Sequence, residues 1–299
     1  MDIINYRFPM CKSIKKIVFI SYLDRSGSTF FTSRLGALPN VFAFPECEWL
    51  IDNVLIGKYV NIDVLKQKIL VATKEDEKLK NWGFTRNEIE KAFKDTKTQG
   101  EIFLNLLNIY KNRYDSGAFV GVFKRQDILF YKYIIVDQLS KFIQLYWFAI
   151  IRNPVRIFSS MKNTIDPYLN KQFEKNIVSF FRRWLFSMFL IKDRGEYIWY
   201  YEYFMTNLYS DLLNIASILK IDFFYDKNKV IEFYNRLTNN DKLLHKSILL
   251  EDVETYNAKR IEKRISILEI FVIKILTNKF FFNLYYKFRQ ICLPLHSIR

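Results

Sequence analysis

The sequence predicts an α/β fold in which a parallel, P-loop-like sheet lies between layers of helices. Three observations carry that expectation. Four short runs rich in β-branched and aromatic residues, at 17–21, 118–123, 147–151 and 197–203, read as buried strands. Long stretches with apolar residues at helical spacing separate them, and strands that alternate with helices pair in parallel. The first run breaks into a polar, glycine-containing turn, "LDRSGSTFF" at residues 23–31, before helix-compatible residues resume.

In chain order, the turn after the run at 17–21 opens a helix. Residues 61–114 form a charged insertion between the first and second runs. Its "TRNE" at 85–88 has the Thr-x-x-Glu spacing of a capping box, so the insertion is expected to be helical. The third run ends in "RNP": Asn153 is a good N-cap and Pro154 suits the first helical position, so a helix should start there. After the fourth run, Leu208, Leu212, Ile215 and Leu219 recur at helical spacing and predict a packing helix. The expected organisation is a single domain over 1–299, with a core at about 16–220 and a helical C-terminal extension at about 225–299.

The bulk numbers narrow the class. A chain of 299 residues with 50% hydrophobic content supports a substantial core. Six prolines, eight glycines and the lack of a repeat or low-complexity tract leave little room for linkers. A net charge of +15 favours anionic partners. The basic residues are scattered and not gathered into one arm, which argues against nucleic acid. Three cysteines, Cys11, Cys47 and Cys292, form neither a disulfide framework nor a metal motif, so a reducing, cytoplasmic compartment and no metal are expected. No apolar run approaches the ~20 residues of a membrane span, and no signal peptide is evident.

Two segments carry candidate chemistry. In a strand-turn-helix, the free N–H groups of the first helical turn attract an anion. Gly27 lets the backbone come close, Ser26, Ser28 and Thr29 offer hydroxyls, and Arg25 adds a positive charge. A Walker A loop is a poor match, because its first glycine is missing and Ser28 stands where its lysine would follow Gly27. The second segment is "WFAIIRNPVRIFSSMKN" at 147–163. It sets Arg152 at the C-terminal edge of a strand, where open α/β sheets bind ligands. Taken alone, each also reads as an ordinary polar turn.

Together, in this order, they resemble the sulfotransferases that use 3′-phosphoadenosine 5′-phosphosulfate (PAPS). "RSGST" followed by Phe30 is similar to the family's 5′-phosphosulfate loop, and Arg152 with Ser160, eight residues on, to its 3′-phosphate site. The resemblance implies the sulfotransferase fold, PAPS as donor bound by residues 25–30, Arg152 and Ser160, and no metal. Tyr201 of the Tyr-Glu pair in "YIWYYEYF" would approach the adenine by the same resemblance, or else serve the core. Lys124, ending the second run, would sit near the leaving sulfate beside Arg25, or simply close a strand at the surface. Family members acting on phenols and steroids use a histidine base just before the 3′-phosphate strand. Here the only histidines are His245 and His296, far downstream, which argues against that branch. "PNVFAFPECEWL" at 39–50 is instead similar to the carbohydrate branch and offers Glu46 as the base, with Glu48 in reserve. A carbohydrate or glycolipid acceptor is the expectation. The competing expectation is a non-catalytic nucleotide-binding or membrane-surface protein that retains the fold. In it, the tail from Lys279 to Arg299 lies peripherally on acidic lipid through Phe280, Phe281, Phe282, Tyr285 and Tyr286, unless those aromatics pack on the core.

Overall fold

The computed structural model describes residues 12–57, 61–250, 266–279, 282–283 and 285–286. Cys11, Cys292, Phe280, Phe281 and His296 lie outside the described residues. Five parallel strands build the main sheet: β1 (Lys16–Ser21), β2 (Val41–Ala43), β3 (Val120–Lys124), β4 (Gln144–Ile151) and a last strand at Tyr197–Tyr200. Their order places β1 between β3 and β4, with β2 and the last strand at the edges. A two-stranded antiparallel ribbon, β5 (Ile165–Asp166) with β6 (Lys171–Gln172), stands apart, so the last strand of the main sheet is β7.

Alternation along β1 fills both layers. Ile17 and Phe19 enter the core under one face of the sheet, while Val18 and Ile20 enter the core under the other. β4 repeats this, with Trp147 and Ala149 on the first side and Tyr146, Phe148 and Ile150 on the second. A sheet buried on both faces needs helices on both. Helix α1 (Ser28–Leu35) follows β1, and Phe30, Phe31 and Leu35 pack into the second layer.

The insertion is helical, as its capping box implies. A short turn, α2 (Glu48–Leu50), runs into a π-helical segment at Ile51–Ile56 and is followed by α3 (Ile62–Glu75), α4 (Glu77–Trp82), α5 (Arg86–Phe93) and α6 (Gln99–Asn112). Thr85 and Glu88 cap α5 reciprocally, and Thr98 and Glu101 do the same for α6. Trp82 stacks on Tyr110 with ring centroids 4.2 Å apart and on Phe44 at 5.5 Å, which ties α4 to the sheet.

Two boundaries differ from the sequence reading. β2 is only three residues long, too short for a pattern to register. Residues 201–203 belong to α10, not to the fourth predicted strand. Along β7 only Trp199 is buried, while Ile198 and Tyr200 face out, so the strand is a half-exposed edge and the aromatic run continues into the next helix.

After β3 come α7 (Lys132–Leu139), then α8 (Pro154–Asn163), capped by Asn153 Oδ1, and α9 (Ile177–Arg194). After β7 follow α10 (Tyr201–Thr206), α11 (Leu208–Leu219), α12 (Lys227–Asn235), α13 (Asn239–Leu250) and α14 (Ile267–Leu276). Leu212, Ile215 and Leu219 of α11 are buried as their spacing predicts. The tail aromatics within the described residues turn inward. Phe282 packs on Trp184 and Phe189, Tyr285 on Phe181 and Tyr286 on Phe189, all of α9, so these three rings take part in packing within the protein. Among the described residues no helix is long and apolar enough to cross a membrane.

The tightest point of the fold is the turn after β1. Gly27 has φ +90°, and a Cβ there would lie 2.1 Å from Cε2 of Tyr201. Left-handed backbone and a ring against the Cα both demand glycine. Gly27→Ala is expected to cost about 3 kcal/mol, combining backbone strain with overpacking. Urea unfolding measures it, and a loss below about 1 kcal/mol would show that the turn has room to move.

Candidate active site

The turn that links β1 to α1 has the geometry of an anion cradle. Arg25 takes φ +66° and Gly27 +90°, and Ser26 N–H closes the bend on the Leu23 carbonyl at 3.0 Å. The chain then enters α1 with Ser28 and Thr29 in the first turn and no acidic side chain there. These N–H groups and the helix dipole are therefore left uncompensated by a carboxylate of α1. The Ser26 hydroxyl is buried with no hydrogen-bond partner among the described residues.

The neighbouring strand ends bring the second predicted set to the same place. Arg152, one residue past β4, donates from Nη1 to the Arg25 carbonyl at 2.8 Å. Its guanidinium lies 4.6 Å above the Tyr201 ring, and its Nε is 3.9 Å from Glu202 Oε1. Glu202 also accepts from Asn153 N–H at 3.1 Å, which pins the start of α8 to α10. Arg25 Nε donates to Ser160 Oγ at 3.1 Å. Arg25, Arg152 and Ser160, 135 residues apart at the extremes, thus form one connected group. Tyr201 and Phe30 are buried and meet edge to face, so both rings support the turn from beneath.

In front of Arg25 opens a cavity of about 400 Å³, lined by Ser28, Thr29, Lys124, Glu46 and Glu48 among others. Arg152, Ser160 and Tyr201 lie behind Arg25 and are not part of its wall. Lys124 ends β3 beside β1, buried and not at the surface. It donates to Glu46 Oε2 at 2.6 Å, while the Tyr22 hydroxyl donates to Glu46 Oε1 and Lys78 stands 3.7 Å from Oε2. Burial alone would raise the Glu46 carboxyl, but Lys124 and Lys78 with these hydrogen bonds hold it far below the usual carboxylate range. Glu48 is pushed the other way, first by burial and then by the Glu46 charge, against the pull of Lys78, Arg125 and Lys124. Burial opposes the Lys78 charge, yet Glu46, Glu48 and Asp241 together hold its ammonium above the usual range. Two carboxylates two residues apart therefore have opposite character, one fixed as an anion and one disposed to take a proton.

Several residues here were not foreseen from the sequence. Tyr22 precedes the motif without resembling a ligand. Lys78 comes from α4 in the insertion, Tyr168 from the ribbon between β5 and β6, and Asp241 and His245 from α13. His245 is the sharpest case, because its distance along the chain had set it aside. Its Nε2 lies 3.3 Å from Thr29 Oγ1, at the mouth of the cradle. Burial, followed by Lys124 and Arg25, keeps its imidazole well below the ordinary histidine range and therefore neutral at pH 7. The absence of a histidine just before β4 stands, but a histidine does reach the site. Among the described residues no group of His, Cys, Asp or Glu is arranged to hold a metal ion.

No family model and no curated protein sequence matches the chain. Among solved structures it is similar to the sulfotransferase domain of the Synechococcus PCC 7002 olefin synthase, with 16% identity over 88% of this chain and 95% of that one and a TM-score of 0.49. It is also similar to the sulfotransferase domain of the curacin biosynthetic pathway, with 14% identity over 88% of this chain and 98% of that one and a TM-score of 0.47.

Proposed function

We propose that the chain is a PAPS-dependent sulfotransferase that moves a sulfuryl group to a hydroxyl of a carbohydrate or glycolipid acceptor. The observation that carries this reading is the junction at the strand ends, where Arg152 bonds the Arg25 carbonyl and Arg25 bonds Ser160. Two basic groups joined this way suit a nucleotide that carries an anionic group at each of two ends. The donor fits the residues present: the orphaned Ser26 hydroxyl, the uncompensated amides of α1, and a glycine where no Cβ fits. Residues 26–29 would hold the 5′-phosphosulfate, and Arg152 with Ser160 the 3′-phosphate. The acceptor side rests on the pattern at 39–50 and on a cavity lined by carboxylates and tyrosines.

The roles follow from the electrostatics. Lys124, aligned by Glu46, would face the oxygen on which charge grows as the sulfur–oxygen bond to phosphate breaks. The new bond forms between sulfur and the acceptor oxygen, whose proton passes to a carboxylate. Both oxygens of Glu46 already accept hydrogen bonds, so Glu48 is the better base and Glu46 the group that positions Lys124. This reverses the preference that the sequence pattern suggests. No observation favours the membrane-surface alternative, since the described tail aromatics pack on α9.

Adenosine 3′,5′-bisphosphate at 100 times its Kd is expected to stabilise the protein by about 2.7 kcal/mol, read as a thermal shift. Arg152→Ala should lose most of that shift, and an unshifted wild type would refute the donor assignment. Glu48→Gln should lower kcat about 100-fold on a glycan panel with labelled PAPS while leaving bisphosphate binding intact. Because the base must be ionised, activity should fall as pH drops through the raised Glu48 range. Glu46→Gln removes the charge that raises Glu48, so its acid limb should move to lower pH; an unmoved limb would assign the base elsewhere.

A further inference from the structure

The C-terminal helices supply a group that neither cradle motif contains. His245 is carried by α13, well over 200 residues from the turn it touches, and its Nε2 meets Thr29 Oγ1 in the first turn of α1. The groups that face it come from every side. Arg25 is on the turn, Lys124 at the end of β3, Lys78 on α4, and Glu46 follows β2. Glu48, Asp166 at the end of β5, and Asp241, one turn earlier on α13, line the same cavity. Burial, with Lys124, Arg25 and Lys78 outweighing the Glu46 carboxylate, keeps a proton off the imidazole. An anion seated on the α1 amides would occupy that cationic field and reverse its sign at Nε2.

We propose that His245 is a direct donor contact, its Nε2 exchanging the Thr29 hydroxyl for an oxygen of the 5′-phosphosulfate and taking up a proton as the nucleotide binds. This rests on the donor assignment made above. The imidazolium then adds a cation at the leaving phosphate, opposite Lys124, and donor binding becomes linked to pH. Binding that raises the affinity for a proton is itself strengthened as pH falls.

Only two histidines exist in the chain, His245 and His296, so ¹⁵N-imidazole spectra of the full-length protein contain the signals of two titrating rings. With saturating adenosine 3′,5′-bisphosphate the His245 midpoint should rise far enough that its imidazole is largely protonated at pH 6, and that of His296 should stay in place. His245→Gln, which retains a hydrogen-bonding side chain, should bind the bisphosphate about tenfold more weakly than wild type at pH 6 and within about twofold at pH 8.5. Comparing the two proteins cancels the titration of the nucleotide's own phosphates. Bisphosphate that binds without moving the His245 midpoint, or equal pH slopes for the two proteins, overturns the role of His245 alone. Failure of wild type to bind overturns it together with the donor assignment. If the variant does not fold, the wild-type titration still decides.

Discussion

The hydrogen bond from Arg152 Nη1 to the Arg25 carbonyl fastens the end of β4 to the turn after β1, and the rest of the site is organised around it. A guanidinium that is only 3% exposed is costly to bury, and here the cost is offset from several sides. The face of Tyr201 lies beneath it, Glu202 stands beside it and the carbonyl takes one of its protons. The same tyrosine ring occupies the space that any side chain at residue 27 would need. One aromatic residue thus fixes both the arginine and the bend of the turn, which is why Tyr201 is buried.

The second organising feature is a row of alternating charges across the cavity. Lys124 and Lys78 both reach Glu46 Oε2, at 2.6 and 3.7 Å, and Glu48 and Asp241 are close enough to act on the Lys78 ammonium. Glu46, Glu48 and Lys78 each shift the ionisation of the other two, so none of the three has a character independent of its neighbours. That coupling separates Glu46 from Glu48 more effectively than their two-residue spacing suggests. It also accounts for a net charge of +15 coexisting with a cavity whose acids and bases are nearly matched. The general positive field draws an anion in, and the local balance determines where on it the protein places its contacts.

What could be read from the sequence was local. The turn after β1 and the Asn153-Pro154 start of α8 are written in consecutive residues, because caps, left-handed positions and strand ends depend on near neighbours. Arg152 and Ser160 were set near the turn only by the resemblance; their direct bonds to Arg25 follow from the parallel pairing of β1 with β4, which brings the C-terminal ends of those strands together. Tyr201 was misplaced by an aromatic run with no break at the strand end. Lys78 and His245 were not legible. The first reaches the cavity because Trp82, one turn later, is clamped between Tyr110 and Phe44, and the second because α13 lies against α1. Both depend on tertiary packing between distant segments, which leaves no trace in spacing.

The clamp on Trp82 makes the segment between β2 and β3 more than a decoration on the sheet. A chain shortened there would lose much of the core that packs on one face of the sheet, and with it the ammonium that sits among Glu46, Glu48 and Asp241. Glu46 would then keep only Lys124 as a counter-ion, and Glu48, already disposed to take a proton, would lose one of the cations that oppose its protonation. The helices of this segment therefore belong to the site's electrical wiring, and their length is constrained by the chemistry as much as by the fold.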